Sequence, residues 1–400
     1  MKEYADLLLK LNSLALFHSL TENTAFQKLY FLLSAPNGDM PAVVSAYAAF
    51  ASVLMDYEMD ISVFVRELVL NDQNPYTSGI ARGKMPSQAL RGCLESELGI
   101  LAEVACLKSA DVKAHIGYAG YLPDWSHARV DLLSLYDEEM AGLHTRGFGI
   151  FKRYHMFTVN GGALVPVKTP DGVRLGDLYG YEYERGLILQ NTNALLAGKP
   201  AANMLLYGDS GTGKSSSIKA VANELCPKGL RLVEVPKANL FDIPGLIETL
   251  SDNPLKFILF IDDLSFSGED DNFTALKAIL EGSVLSRSSN TVIYATSNRR
   301  RLVKESFSDR KGDDLHINET IQQTASLSER FGLAIPFSAP SKEEYLEIVS
   351  HLAGMYQISL AQEALHQQAE VFALEKGGRS GRAARQFIEQ LVALQAAPIR

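Results

Sequence analysis

Gly208 and Gly213 bracket four residues and are followed directly by Lys214 and Ser215. That spacing, G-x-x-x-x-G-K-S, suits a loop wrapped around phosphate. Glycines let consecutive backbone N–H groups turn inward around an anion, where a Cβ would clash. Asp209, Ser210, Gly211, Thr212 and Ser216 complete the expected cradle. Lys214 is expected to reach the β- and γ-phosphates and the Ser215 hydroxyl to bind Mg²⁺, so the ligand implied is ATP with its metal ion. Two acids, Asp262 and Asp263, end the apolar run 257–261. Asp262 is assigned to Mg²⁺, directly or through water, and Asp263 to orienting or deprotonating the attacking water. Asn298 ends another apolar run, where it can hydrogen-bond the γ-phosphate or that water; an Asn after a strand also simply makes a turn. Arg330 precedes a short strand, where it can serve a nucleotide held by a neighbouring subunit. Residues 377–382 open the last helix; Arg382 is the first choice to face the phosphates and Arg379 the second.

Such chemistry needs a rigid frame. Residues 204–207 are apolar and 218–225 amphipathic. The glycine loop therefore joins a strand to a helix whose positive dipole end meets the phosphates. Residues 230–235 read as a second strand, with a helix near 243–250. The run 257–261, uninterrupted by polar residues, suits a strand buried on both faces of a parallel sheet. Acids at its C-terminal end fall where open α/β sheets bind ligands. Residues 291–298 and 333–337 supply two more strands. Residues 178–182 precede a helix at 184–197; the backbone near Gly180 and a Tyr face can lie over the base, or the segment is a plain loop. Ser341 and Glu344 have capping-box spacing at a helix near 342–353, and two more helices follow at 360–375 and 380–395.

The rest of the chain reads as accessory. Residues 1–125 carry helical periodicity, with Leu7, Leu8, Leu11, Leu14 and Ala15 on one face. Ser19 and Glu22 suggest a capping box for a second helix that Pro36-Asn37-Gly38 breaks. Residues 71–86 are loop-like, and a helix is expected over 87–107. His18 and His115 read as structural. Residues 126–174 form a linker with a strand at 151–159 and a hairpin turn at Gly161-Gly162, its basic residues Arg146, Lys152 and Arg153 on a solvated face. The ATPase core is expected at 175–340 and a helical lid at 341–400. Cys93, Cys106 and Cys226 are far apart, and no Cys/His cluster suggests a metal site. With no secretory signal and no apolar run long enough to span a bilayer, a cytoplasmic protein without membrane contact is expected. A net charge of −9 argues against a broad nucleic-acid surface, while the run Arg299, Arg300, Arg301 and Lys304 leaves room for a local one.

Together these stretches resemble an AAA+ ATPase. More closely, residues 180–182, 205–216, 260–266, 294–300 and 327–332 resemble a bacterial family of AAA+ ATPases catalogued only as a domain of unknown function. The resemblance covers roughly residues 150–400. It implies an α/β fold with a five-stranded parallel sheet in the order 5-1-4-3-2, Walker A and B motifs, two sensors, an arginine finger, a C-terminal helical lid and an α-helical N-terminal domain. It supplies no known substrate. The leading expectation is ATP hydrolysis that remodels or switches a client macromolecule, with an unidentified protein as client, in a homo-oligomer whose sites form between subunits. The alternative is a nucleic-acid-associated initiator or helicase loader, which also carries Asp-Asp. Asp263 stands where AAA+ proteins usually have Glu, and 237–245 is no clean match to the aromatic-hydrophobic-Gly loop of unfoldases.

Overall fold

The computed structural model describes residues 2–35, 39–265, 271–281, 289–298 and 330–396. The chain divides into two compact units, Met1–Arg153 and Tyr154–Arg400.

The first unit is helical. Its core gathers Leu11 and Phe17, Phe26 and Leu29, Tyr47 and Phe50, Phe64, Leu98 and Leu101 from successive helices. Trp125 stacks on Tyr47 at 5.0 Å between ring centres and donates from Nε1 to Leu107 O at 2.9 Å. The unit runs past the expected boundary at 125, because Leu132 and Tyr136 of the helix Leu132–Ala141 belong to the same core. The segment 71–86 is no plain loop: Asn74 caps a helix Pro75–Ala81. The second helix, Thr24–Ser34, is capped by Asn23 rather than by Ser19, whose hydroxyl is engaged by Asp72. Met40–Tyr57 has the length and mean hydropathy, 1.3, of a membrane span. Its Tyr47, Phe50, Ala51 and Leu54 are nevertheless at most 1% exposed, as in a core helix. Arg146 and Lys152 are not merely solvated, since Arg146 donates to Glu138 O at 2.7 Å and Lys152 pairs with Glu139 at 3.0 Å. His115 packs edge-on against Tyr4.

Glu97 is the buried charge of this unit, 5% exposed. Its carboxylate accepts from the backbone N–H of Ala15, Leu16 and Phe17 at 2.9–3.1 Å and from the Cys93 thiol at 3.1 Å. Burial works against its ionisation, but those donors outweigh burial and hold the carboxyl below its usual value.

The second unit is α/β. Its strands are β1 (Met156–Asn160), β2 (Ala163–Pro166), β3 (Met204–Gly208), β4 (Leu230–Glu234), β5 (Lys256–Ile261), β6 (Thr291–Ser297) and β7 (Leu333–Phe337). Their order is β2-β1-β4-β5-β6-β3-β7. Every pair is parallel except β1 with β2. The five expected strands fall in the expected order, but among the described residues the sheet has seven strands, not five. The hairpin placed in the linker supplies the other two, because β1 pairs with the edge of β4, Phe157 opposite Val233. An unpaired β4 edge would leave a row of open backbone groups, and β1 satisfies them.

The outer strands each carry a proline. Val167 donates to Met156 O, so by alternation Pro166 of β2 faces outward. Leu333 donates to Asn203 O and Phe337 accepts from Asp209, so Pro336 of β7 also faces outward.

Phe257 through Ile261 of β5 are all 0% exposed. Ile258 and Phe260 join a core with Ile218, Val221 and Leu225 of the helix Lys214–Leu225 and Ile188 and Leu195 of the helix Glu182–Leu196. The C-terminal helices Lys342–Met355, Gln362–Glu375 and Gly381–Ala396 build a separate small core around Tyr345, Ala369, Phe387 and Ile388. Ser341 and Glu344 form the expected capping box.

Candidate functional site

Gly208 ends β3 with φ +135, and a Cβ there would lie 2.2 Å from Phe337 O. Only glycine lets β3 run this close to β7. Asp209 then ties the loop to the chain beyond β7: its N–H donates to Phe337 O at 3.0 Å and its Oδ2 accepts from Ala339 N at 2.7 Å. The loop turns through Gly211 (φ +78) and Gly213 (φ +90) into the helix Lys214–Leu225. Lys214 is 6% exposed, and its ammonium donates to Gly208 O at 3.0 Å and Asp209 O at 2.6 Å. Burial pushes its pKa below the ordinary lysine value; Asp209, Asp263 and Asp262 oppose that and Arg382 adds to it.

β5 and β6 deliver the polar groups. The pairing of Ile261 with Ala295 sets Asp262 beside Thr296. Oδ1 of Asp262 accepts from Ser215 Oγ at 2.6 Å, Thr296 Oγ1 at 2.5 Å and Asp263 N at 3.1 Å. Asp263 has φ +48, its N–H also donates to Thr296 Oγ1 at 2.9 Å, and its Oδ1 accepts from Asn298 Nδ2 at 2.7 Å.

The lid completes the enclosure. Arg382 N donates to Gly211 O at 3.0 Å, seating the last helix on the loop. Arg379 is bound in two-pronged fashion to Glu370, at 2.9 and 2.7 Å, and holds that carboxyl below its usual value. Arg382, not Arg379, therefore lines the cavity.

That cavity, about 560 Å³, is bounded by Ser210 to Ser217, Asp262, Asp263, Asn298 and Arg382, and at its other end by Leu178, Tyr179, Tyr181, Ile348 and Leu352. Of the sequence-derived residues, Gly208 and Asp209 lie behind the wall as supports. Gly180 stands outside the lining, its N–H bound to Glu182 Oε1 at 2.8 Å. Arg330 is also outside it. It precedes β7, whose first residue pairs with Met204 and whose last pairs with Gly208. Arg330 thus lies at the end of the sheet away from the loop, at least about 13 Å along at the usual strand rise. Residues 299–329, including the basic run Arg299 to Lys304 and Glu329, lie outside the described residues.

The lining residues that the sequence did not single out include Thr296, Arg185 and Arg385. Thr296 is an ordinary β-branched strand residue in the sequence, and its two-residue spacing from Asn298 was the available signal. Arg385 stands one helical turn after Arg382, a spacing that puts both on one face.

The oxygen donors fit a hard cation: Ser215, Thr296 and Asp262 converge as one carboxylate and two hydroxyls. Among the described residues no group of three or more His, Cys, Asp or Glu is placed to hold a metal. A Mg²⁺ ion shared with phosphates does not need one. The positive-φ glycines, the buried Lys214 and the lid arginine likewise fit a polyphosphate.

No curated protein matches the chain. The family described as "Protein of unknown function (DUF815)" matches residues 152–395, which takes in the whole sheet, the loop at 208–216 and nearly all of the last helix. That span is more than half of the 400 residues, and the chain belongs to this family.

Proposed function

We propose that the protein is an AAA+ ATPase that hydrolyses ATP to ADP and phosphate, with Mg²⁺, to remodel or switch a client protein in the cytoplasm. One observation carries the reading. Lys214, Ser215, Asp262, Asp263, Asn298 and Arg382 line one cavity at the C-terminal ends of parallel strands, closed by a helical lid. Open α/β sheets bind ligands there.

The residues divide the work. Lys214 exchanges its two carbonyl partners for β- and γ-phosphate oxygens. The backbone N–H groups of 211–216 and the start of the helix Lys214–Leu225 hold the same phosphates. Ser215 and Asp262 would hold Mg²⁺, which would neutralise phosphate charge. Asp263 takes a proton from the attacking water at Oδ2, the carboxylate oxygen that Asn298 does not hold. The second N–H of the Asn298 amide is left for that water or the γ-phosphate. Arg382 brings the lid to the phosphates.

Arg330 lies too far from the loop of its own subunit to join them, so in this reading it serves a neighbour and the active form is a homo-oligomer. The nucleic-acid alternative gains no observation here.

The test is calorimetry with ATP and Mg²⁺ on wild type and Lys214→Ala, with phosphate release measured alongside. Binding and turnover in wild type, both lost in the variant, are expected. Equal affinity in the two proteins removes the assignment.

A further inference from the structure

We propose that Arg185 is a positioning residue that sets the base selectivity of the cavity, by fixing the backbone of Tyr179 in one orientation. The inference rests on the nucleotide reading above and extends it to the end of the cavity away from the phosphates.

Arg185 lies in the first turns of the helix Glu182–Leu196, lines the cavity and is only 8% exposed. Burying a cation is costly unless it is well bonded. Among the described residues its bonds run through one nitrogen, Nη2, to Leu178 O at 3.1 Å and Glu182 Oε1 at 3.1 Å. The same Glu182 oxygen accepts from Gly180 N at 2.8 Å. Leu178 and Gly180, the neighbours of Tyr179, are therefore tied to the helix through this one pair.

The segment needs such ties. Gly180 and Tyr181 have φ +76 and +61, and a left-handed tyrosine is held there only by its surroundings. Tyr181 donates from its hydroxyl to Ser338 O at 2.6 Å and stacks on Phe337 at 5.1 Å. The Tyr179 ring stacks on His351 of the lid at 4.6 Å. Among the described residues, neither the N–H nor the carbonyl of Tyr179 has a hydrogen-bond partner. Tyr179 lines the cavity, so one donor and one acceptor of a single residue are left for a ligand bound there. Adenine offers an acceptor, N1, beside its amino donor. Guanine reverses that order, with an N–H donor beside an oxygen acceptor. A fixed donor–acceptor pair suits one of these orders and opposes the other, adenine's in the nucleotide reading, and it discriminates only while its orientation is fixed.

The experiment measures affinity for ATP, GTP and inorganic tripolyphosphate, each with Mg²⁺, in wild type, Arg185→Met and Arg185→Lys. Wild type is expected to prefer ATP over GTP by about 10²-fold or more. In Arg185→Met, ATP affinity falls by about 10-fold or more, GTP affinity holds, and the ratio collapses. Tripolyphosphate, which has no base, binds all three proteins alike. Arg185→Lys keeps the charge but not the planar guanidinium that places Nη2 between Leu178 O and Glu182 Oε1, and it moves the ratio the same way. An unchanged ATP-to-GTP ratio in the folded variants, or an equal loss across all three ligands, overturns the proposal, as does a wild type without preference. If Arg185→Met does not fold, a wild-type ratio in Arg185→Lys overturns it alone. A wild type that binds neither ATP nor tripolyphosphate defeats the nucleotide reading instead.

Discussion

Asn298 donates from Nδ2 to Asp263 Oδ1 at 2.7 Å, joining the ends of β6 and β5. Asp263 meets it from a left-handed backbone that Asp and Asn tolerate better than most residues. Thr296 and Asp262 hold the Asp263 N–H from behind. The acid is fixed at both backbone and side chain, and the carboxylate oxygen that Asn298 leaves open, Oδ2, is the one that can act as a base.

Asp263→Asn keeps the shape of the side chain and removes the proton acceptor. ATP with Mg²⁺ still binds, and turnover falls by about 10²-fold or more. Phosphate release beside calorimetric Kd values checks this. Wild-type turnover would move the role to another acid nearby in the sequence, such as Glu269, which lies outside the described residues.

Lys214 gives a pH signature. Its folded pKa lies below the ordinary lysine value, mainly through burial. Between the folded value and about 10.4, the unfolded chain therefore carries more of this proton than the native one. Native stability of the ligand-free protein rises with pH across that window. Lys214→Met removes this contribution and flattens the slope. Urea melts of both proteins over the alkaline range measure the difference; parallel slopes would show that Lys214 is not depressed.

Arg330→Ala binds ATP but hydrolyses it poorly, with a rate loss of about 10³-fold or more if it acts as a subunit-borne finger. Mixing it with Lys214→Ala restores part of the activity, because one variant keeps its phosphate loop and the other keeps its arginine. Wild-type rate per subunit also rises with protein concentration. A rate independent of concentration, with no rescue on mixing, favours a local structural role for Arg330.

Gly208→Ala tests the β3–β7 contact. The new methyl meets the Phe337 carbonyl at a φ that L-residues avoid. The expected cost is about 2–4 kcal/mol, with loss of ATP binding. Thermal melting and calorimetry read the two effects; a variant with wild-type Tm and affinity would contradict the contact.

Glu97→Gln addresses the helical unit. The folded carboxyl sits below its unfolded value, so its contribution is full above about pH 4.3 and is lost as pH falls through the folded pKa. The substitution costs about 1.5–3 kcal/mol near neutrality and shrinks the acid-side loss of stability. Equal acid melts in both proteins would count against the role of the carboxylate.

Much of the site was legible because it is local. The glycine loop at 208–216, the run before Asp262 and the capping box at Ser341 are each set by a few adjacent residues. Long-range pairings were not legible. Nothing within 151–166 announces that Phe157 will lie beside Val233, and so the hairpin read as a linker. The choice between Arg379 and Arg382 turned on Glu370, on a different helix. Ser19 lost its expected capping role because Asp72 holds its hydroxyl, and Asn23 took that role instead. In each case the deciding partner is distant in sequence, where periodicity carries no information.

Pro166 and Pro336 each remove one outward N–H from a flank of the sheet, which works against strand addition at both edges. Copies of this protein that crowd together are thereby hindered from zipping edge to edge. A ring or filament built instead from side-chain surfaces lets its members slide and tilt against one another, where a continuous shared sheet would lock their angles.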